Sequence, residues 1–160
     1  MSDFSIYKQL EAGRVAQGAL TNGIANGLAP VAQSHTHEDR YPIANLVPAL
    51  AESPLGTSKY QANVIGATLH VSANFVANAT DYNTLTLNKR TGAGAAVVIG
   101  TANLLSVAGT QFIGIPFTLV SNSANTVVAA GDLLTLTVAK TGNGVANNPS
   151  ASVTFVLEDT

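Results

Sequence analysis

Asp132-Leu133-Leu134-Thr135-Leu136-Thr137-Val138-Ala139-Lys140-Thr141-Gly142-Asn143-Gly144 decides the fold class of this chain. Leu134, Leu136 and Val138 fall on one face of an extended segment, and Leu133, Thr135 and Thr137 on the other. A two-residue period of this kind marks a half-buried β-strand, and the glycines that follow close it in a turn. The phrase occurs twice. Asp81 stands in the place of Asp132, Thr84-Leu85-Thr86-Leu87 in that of Thr135-Leu136-Thr137-Val138, and Lys89 in that of Lys140. After one extra residue, Arg90, the segment Thr91-Gly92-Ala93-Gly94 answers to Thr141-Gly142-Asn143-Gly144. Two strand-turn units of one design predict an all-β core.

Outward from the repeat, the same alternation continues. Ile65, Ala67, Leu69, Val71, Ala73 and Phe75 alternate with Gly66, Thr68, His70, Ser72 and Asn74. That run exceeds the usual strand of about five or six residues, so a bend at Gly66 or an exchange between two sheets is expected. Residues 95–99, 104–107, 114–121, 127–128 and 153–157 read as further short strands. Pro116 cannot donate to a ladder, which puts its strand at an edge or a bulge. About seven or eight short strands, with turn signals and no helical stretch between them, predict an antiparallel β-sandwich or jelly-roll-like domain. Its expected span is residues 60–160.

Residues 1–59 read as an extended, mostly irregular N-terminal arm. Phe4, Tyr7 and Leu10 can line one stripe of a short helix, with Asp3 near its start and Gly13 past its end; a frayed terminus fits the same residues. Pro42, Pro48 and Pro54 recur evenly among Ile43, Leu46, Val47, Leu50 and Leu55. Proline at that density opposes long helices and central strands, yet the apolar residues between still require burial. An arm anchored in a groove of another subunit meets both demands. An arm folded back on its own domain is the alternative.

Composition narrows the function. Of 160 residues, 46% are hydrophobic and only 10% charged, against about 25% charged in ordinary globular chains. No charged residue lies between Arg90 and Asp132. So bare a stretch predicts burial against another chain. Net charge is -2 with no basic run, which argues against a nucleic-acid partner. The absence of cysteine excludes disulfides and thiolate metal sites. Met1-Ser2-Asp3-Phe4 lacks the basic and apolar regions of a secretory signal, and no apolar run is long enough to span a bilayer. These features predict a chain made in a cytoplasm, with no membrane partner.

Few residues offer chemistry. In His35-Thr36-His37-Glu38-Asp39, the His-x-His spacing puts both imidazoles on one side of an extended segment, where they can bind a divalent ion. His35 and His37 are therefore the metal candidates, but no motif supplies a third ligand and a solvated loop explains the run equally. His70, alone on a polar face, reads as a surface or interface residue. Asp81 and Asp132 occupy equivalent places before their strands, where an Asp caps a turn by accepting backbone N–H bonds. No serine sits in a Gly-x-Ser-x-Gly elbow, and neither glycine turn is followed by the Lys-Ser or Lys-Thr of a phosphate loop. No catalytic residue and no cofactor are expected, and the chain does not read as an enzyme. With no Trp, only Tyr60 and Tyr82 offer the β-domain an aromatic surface for a sugar.

Asp81-Tyr82-Asn83-Thr84-Leu85-Thr86-Leu87-Asn88-Lys89-Arg90, the Ala/Gly/Val run after it, and Val128-Ala129-Ala130-Gly131-Asp132-Leu133-Leu134-Thr135 resemble small head proteins of tailed bacteriophages. These are the decoration, cement or head-fibre proteins. The resemblance covers residues 65–158. It implies a β-sandwich on the outer face of the major capsid shell, often a homotrimer, with no catalytic residues. The expected location is thus the capsid surface of a virion, and the expected partners are the major capsid protein and further copies of the chain. A small jelly-roll shell subunit shares the composition but calls for a basic arm, which Lys8, Arg14 and Arg40 are too sparse to form. A receptor- or carbohydrate-binding module of a virion fibre calls for an exposed aromatic groove.

Overall fold

The computed structural model describes residues 36–43, 52–105, 107–144 and 149–159. Among them run ten strands: β1 (Thr36–Ile43), β2 (Ser53–Thr57), β3 (Ala62–Val71), β4 (Tyr82–Arg90), β5 (Val97–Asn103), β6 (Gly114–Pro116), β7 (Thr118–Leu119), β8 (Val127–Val128), β9 (Leu133–Thr141) and β10 (Ala151–Asp159). A single helical turn, Ser123–Thr126, is capped by Asn122, whose side chain accepts the Ala124 N–H at 3.1 Å. The fold is all-β, as the alternation predicts. Sheet A has the order β1-β10-β3-β6, with β8 also on β3; sheet B has the order β2-β9-β4-β5-β7. Every pairing is antiparallel.

The repeated phrase forms the middle of sheet B. β4 and β9 lie side by side with Leu85 opposite Val138, Thr86 opposite Thr137 and Leu87 opposite Leu136. The two copies are thus related by a local twofold through the Thr86–Thr137 pair. Each aspartate reaches the turn that ends the other copy. Asp81 accepts the Asn143 N–H at 2.7 Å, and Asp132 accepts the Thr91 hydroxyl at 2.7 Å and the Ala129 N–H at 3.0 Å. Both turns close with the same hydrogen bond, Gly94 N–H to Thr91 O and Gly144 N–H to Thr141 O, each at 3.0 Å. The capping role read from the sequence is the one these carboxylates hold.

The inner faces meet in a core centred on Leu69, Leu85, Leu87, Leu134, Leu136, Val153 and Phe155, each at most 1% exposed. Burial of such a side chain contributes about 1.5–3 kcal/mol. Two expected strands differ in detail. The long alternation breaks at Ile65, which has no partner on β10, where Val64 faces Leu157 and Gly66 faces Val156. This bulge turns Ile65 outward, to 45% exposure, and lets Ala62 and Val64 take the core face. The segment 114–121 does not stay in one sheet. β6 pairs with β3, Phe117 is buried, and β7 pairs with β5, so the chain passes from sheet A to sheet B at Pro116. Leu104, Leu105 and Val107 belong to no strand; Leu104 is buried in a loop and its N–H reaches Asn83 O at 3.0 Å.

The boundary expected at residues 59 and 60 is corrected. All ten strands belong to one compact unit, Ser34–Thr160. β1 pairs along its length with β10, and β2 pairs with β9. Pro42 and Pro54 misdirect the reading because both lie on edge strands, where half the N–H groups face away from the ladder and proline is tolerated. Tyr41 joins the two edges. Its ring packs edge-on to Phe155 at 5.6 Å and leaves no room for a Cβ on Gly56. Burial, reinforced by the Asp39 carboxylate 3.4 Å from its hydroxyl, pushes the Tyr41 phenol up to about 12. The short helix expected near Phe4, along with Pro48 and Leu46, lies outside the described residues.

Candidate functional site

Strand register, not a catalytic cluster, builds the most distinctive surface. Because Leu85, Leu87, Leu136, Val138 and Ala102 face the core, their neighbours in sequence face outward. Thr118 stands opposite Thr101, Thr101 opposite Thr86, and Thr86 opposite Thr137. A row of four threonines therefore crosses sheet B from β7 to β9. The next row holds Asn103, Thr84 and Ala139. Cross-strand Thr pairs stabilise a sheet by about 0.2–1 kcal/mol each, and the surface they make is neutral and already ordered.

The charges near this face are already paired. Glu52 lies at one corner, where its carboxylate accepts from both Arg90 Nε and Nη2 and from the Thr135 hydroxyl at 2.7 Å. Arg90 Nη1 also donates to Gly94 O at 2.7 Å. Lys89 donates to Ala124 O at 3.0 Å and to Val127 O. Burial acts to raise the Glu52 carboxyl, but the hydrogen bonds from Arg90 and Thr135, the Arg90 charge and a bond from Asn88 outweigh it, so the group sits below its ordinary value. A carboxylate with a lowered folded pKa adds stability that is present above its unfolded value, about 4.5, and is lost as pH falls through the folded value. Glu52→Gln is expected to lose about 1 kcal/mol at neutral pH, and its stability should fall less than that of the wild type on acidification below 4.5. Urea unfolding across that range checks this; parallel curves would contradict it.

The free edges are blunted. β1 carries His37, Glu38, Asp39, Arg40 and Pro42, and β2 is five residues long with Pro54 and Gly56. Charge, proline and short length all hinder strand addition. The contacts left open to a partner are therefore the sheet faces and the loops. The charge-free stretch supplies four exposed large apolar side chains: Val98, Leu105, Phe112 and Ile113. Next to sheet B, Asn103, Val107, Ile113, Pro116 and Thr118 line a groove of about 460 Å³ that no charged residue among those described borders.

Among the described residues, His37 meets no set of further ligands. His35 lies outside the described residues. His37 sits on β1, not in a loop, with Nδ1 3.6 Å from Asp159 and its ring edge-on to Tyr60 at 5.9 Å. Its Nε2 is buried without a hydrogen-bond partner. Among the described residues, no group of three or more His, Cys, Asp or Glu side chains is placed to hold a metal. Asp81 and Asp132 stand at opposite ends of the paired strands and do not form a carboxylate pair. Tyr60 is 59% exposed beside His37, whereas Tyr82 is half-buried. His70 lies on the outer face of sheet A beside Arg40, a neighbourhood with no sequence signal because the two are far apart in the chain. No described helix is long and apolar enough to cross a membrane. Compared with protein families, with curated proteins and with solved structures, the chain shows no match.

Proposed function

We propose that this chain is a structural virion protein that decorates and stabilises the head of a tailed bacteriophage, binding the outer surface of the major capsid protein and associating with further copies of itself, three to an assembly. The observation that carries the reading is the threonine row of sheet B, continuous with an uncharged stretch whose loops expose Leu105 and Ile113. A monomer gains nothing from so large a neutral face, whereas a subunit buries it against its neighbours. The phage-head resemblance of residues 81–90 and 128–135 supplies the kind of assembly. With β1 and β2 in the sandwich, attachment to the shell falls to residues 1–35.

The test mixes the intact chain with empty heads built from the major capsid protein of the phage it comes from. Saturable co-sedimentation with the heads is expected, together with greater resistance of those heads to heat. Heads that stay bare at saturating concentration would overturn the proposal. Closed shells formed by the chain alone would replace it with the jelly-roll shell reading.

A further inference from the structure

The outer face of sheet A, on the side of the molecule away from the threonine row, holds a groove of about 400 Å³. Arg40 lines it from β1, His70 and Ser72 from the end of β3, and Ser150 and Ser152 from the start of β10, while Phe112 stands at its lip. The polar groups come from distant parts of the chain and are held in place by one another. Arg40 Nε donates to Ser152 Oγ at 2.9 Å, and Ser150 Oγ donates to Ser72 Oγ at 2.7 Å. The Arg40 Nη groups donate to no described residue. Among the described residues no carboxylate lines the groove, and Arg40 is the one formal charge there.

Phe112 is the least expected member. Its ring is 80% exposed, and its φ of 66° is a conformation that a side chain other than glycine, asparagine or aspartate rarely adopts. Two bonds hold the loop in that shape: Gln111 N–H to Asn74 Oδ1 at 2.6 Å and Phe112 N–H to Val71 O at 3.4 Å. A strained backbone that presents an aromatic ring to water at the rim of a mostly apolar groove holding an arginine and several hydroxyls is the arrangement of a binding site more than of a folding need.

We propose that this groove binds an acidic saccharide. The Arg40 Nη groups, without a partner among the described residues, are the complement of a sugar carboxylate, to which they donate two charge-assisted hydrogen bonds. The serine hydroxyls and His70 exchange hydrogen bonds with ring hydroxyls, and the apolar face of the sugar stacks on Phe112. A neutral sugar leaves Arg40 without a partner. Inorganic phosphate leaves the aromatic lip unused. This inference does not depend on the assembly reading, because the groove and the threonine row lie on different sheets.

Isothermal titration of the intact chain with trigalacturonate and sialyllactose, beside galactotriose, lactose, inorganic phosphate and a glutamate-rich peptide, tests it. One of the two acidic sugars should bind at least about 10-fold more tightly than its neutral counterpart. Arg40→Gln and Phe112→Gly should each weaken that binding about 10-fold or more. Glycine suits the backbone at residue 112, so Phe112→Gly is expected to melt no lower than the wild type, which separates a lost contact from a lost fold. The proposal is overturned if neither acidic sugar binds, if either substitution leaves affinity unchanged, or if phosphate or the peptide binds as tightly as the sugar.

Discussion

Gly142→Ala is expected to destabilise the sandwich by about 3 kcal/mol or more, while Gly92→Ala, at the equivalent place in the other copy of the repeat, costs only about 1 kcal/mol. The two glycines share nearly one conformation, with φ of 59° and 57°. A side chain pays the left-handed penalty of about 1–2 kcal/mol at either. They differ in what surrounds them. Around Gly92 nothing lies within 4 Å of an added Cβ, but at Gly142 the methyl would meet Asp81 Oδ1 and the Thr80 carbonyl. To make room, Asp81 must release the Asn143 N–H it now accepts at 2.7 Å. That adds the loss of a charge-assisted bond, about 1.5–3 kcal/mol. Urea unfolding of both variants measures the difference. Equal losses would mean that the two turns, alike in sequence, are also alike in packing, contrary to the structure.

Thr86→Lys places a charge where the local twofold passes through sheet B. Self-association should weaken by more than about 100-fold, because a buried unpaired charge costs about 3–5 kcal/mol. Stability of the separated chain should change by less than about 1 kcal/mol, since the Thr86 side chain faces outward. Sedimentation velocity over a dilution series gives the first quantity and urea unfolding of dilute protein the second. Association unchanged by the substitution would remove the threonine row from the interface.

Much of this architecture was legible before any coordinates. The Asp132 phrase predicted a strand with Leu134, Leu136 and Val138 inward, and all three are buried. The repeat predicted two like strands, although only the register shows that they are neighbours and that each aspartate serves the other's turn. Two features misled. Proline made residues 36–57 read as part of the arm 1–59, but an edge strand also uses proline to discourage pairing, so the signal for an arm and the signal for a protected edge coincide. The irregularity expected at Gly66 is the bulge beside it, but the outward turn of Ile65 has no signal because Ile65 is apolar and continues the alternation. The sheet A groove had no local signature at all. Arg40, His70 and Ser152 are brought together by strand order, and the loop carrying Phe112 is set beside them by its bonds to Asn74 and Val71.

The molar mass of the intact chain in solution, by light scattering at micromolar concentration, tests most directly whether the neutral face is covered by another copy. A defined multiple of 16.3 kDa that dissociates on introducing Thr86→Lys is expected. A particle of 16.3 kDa that persists at every concentration would contradict it.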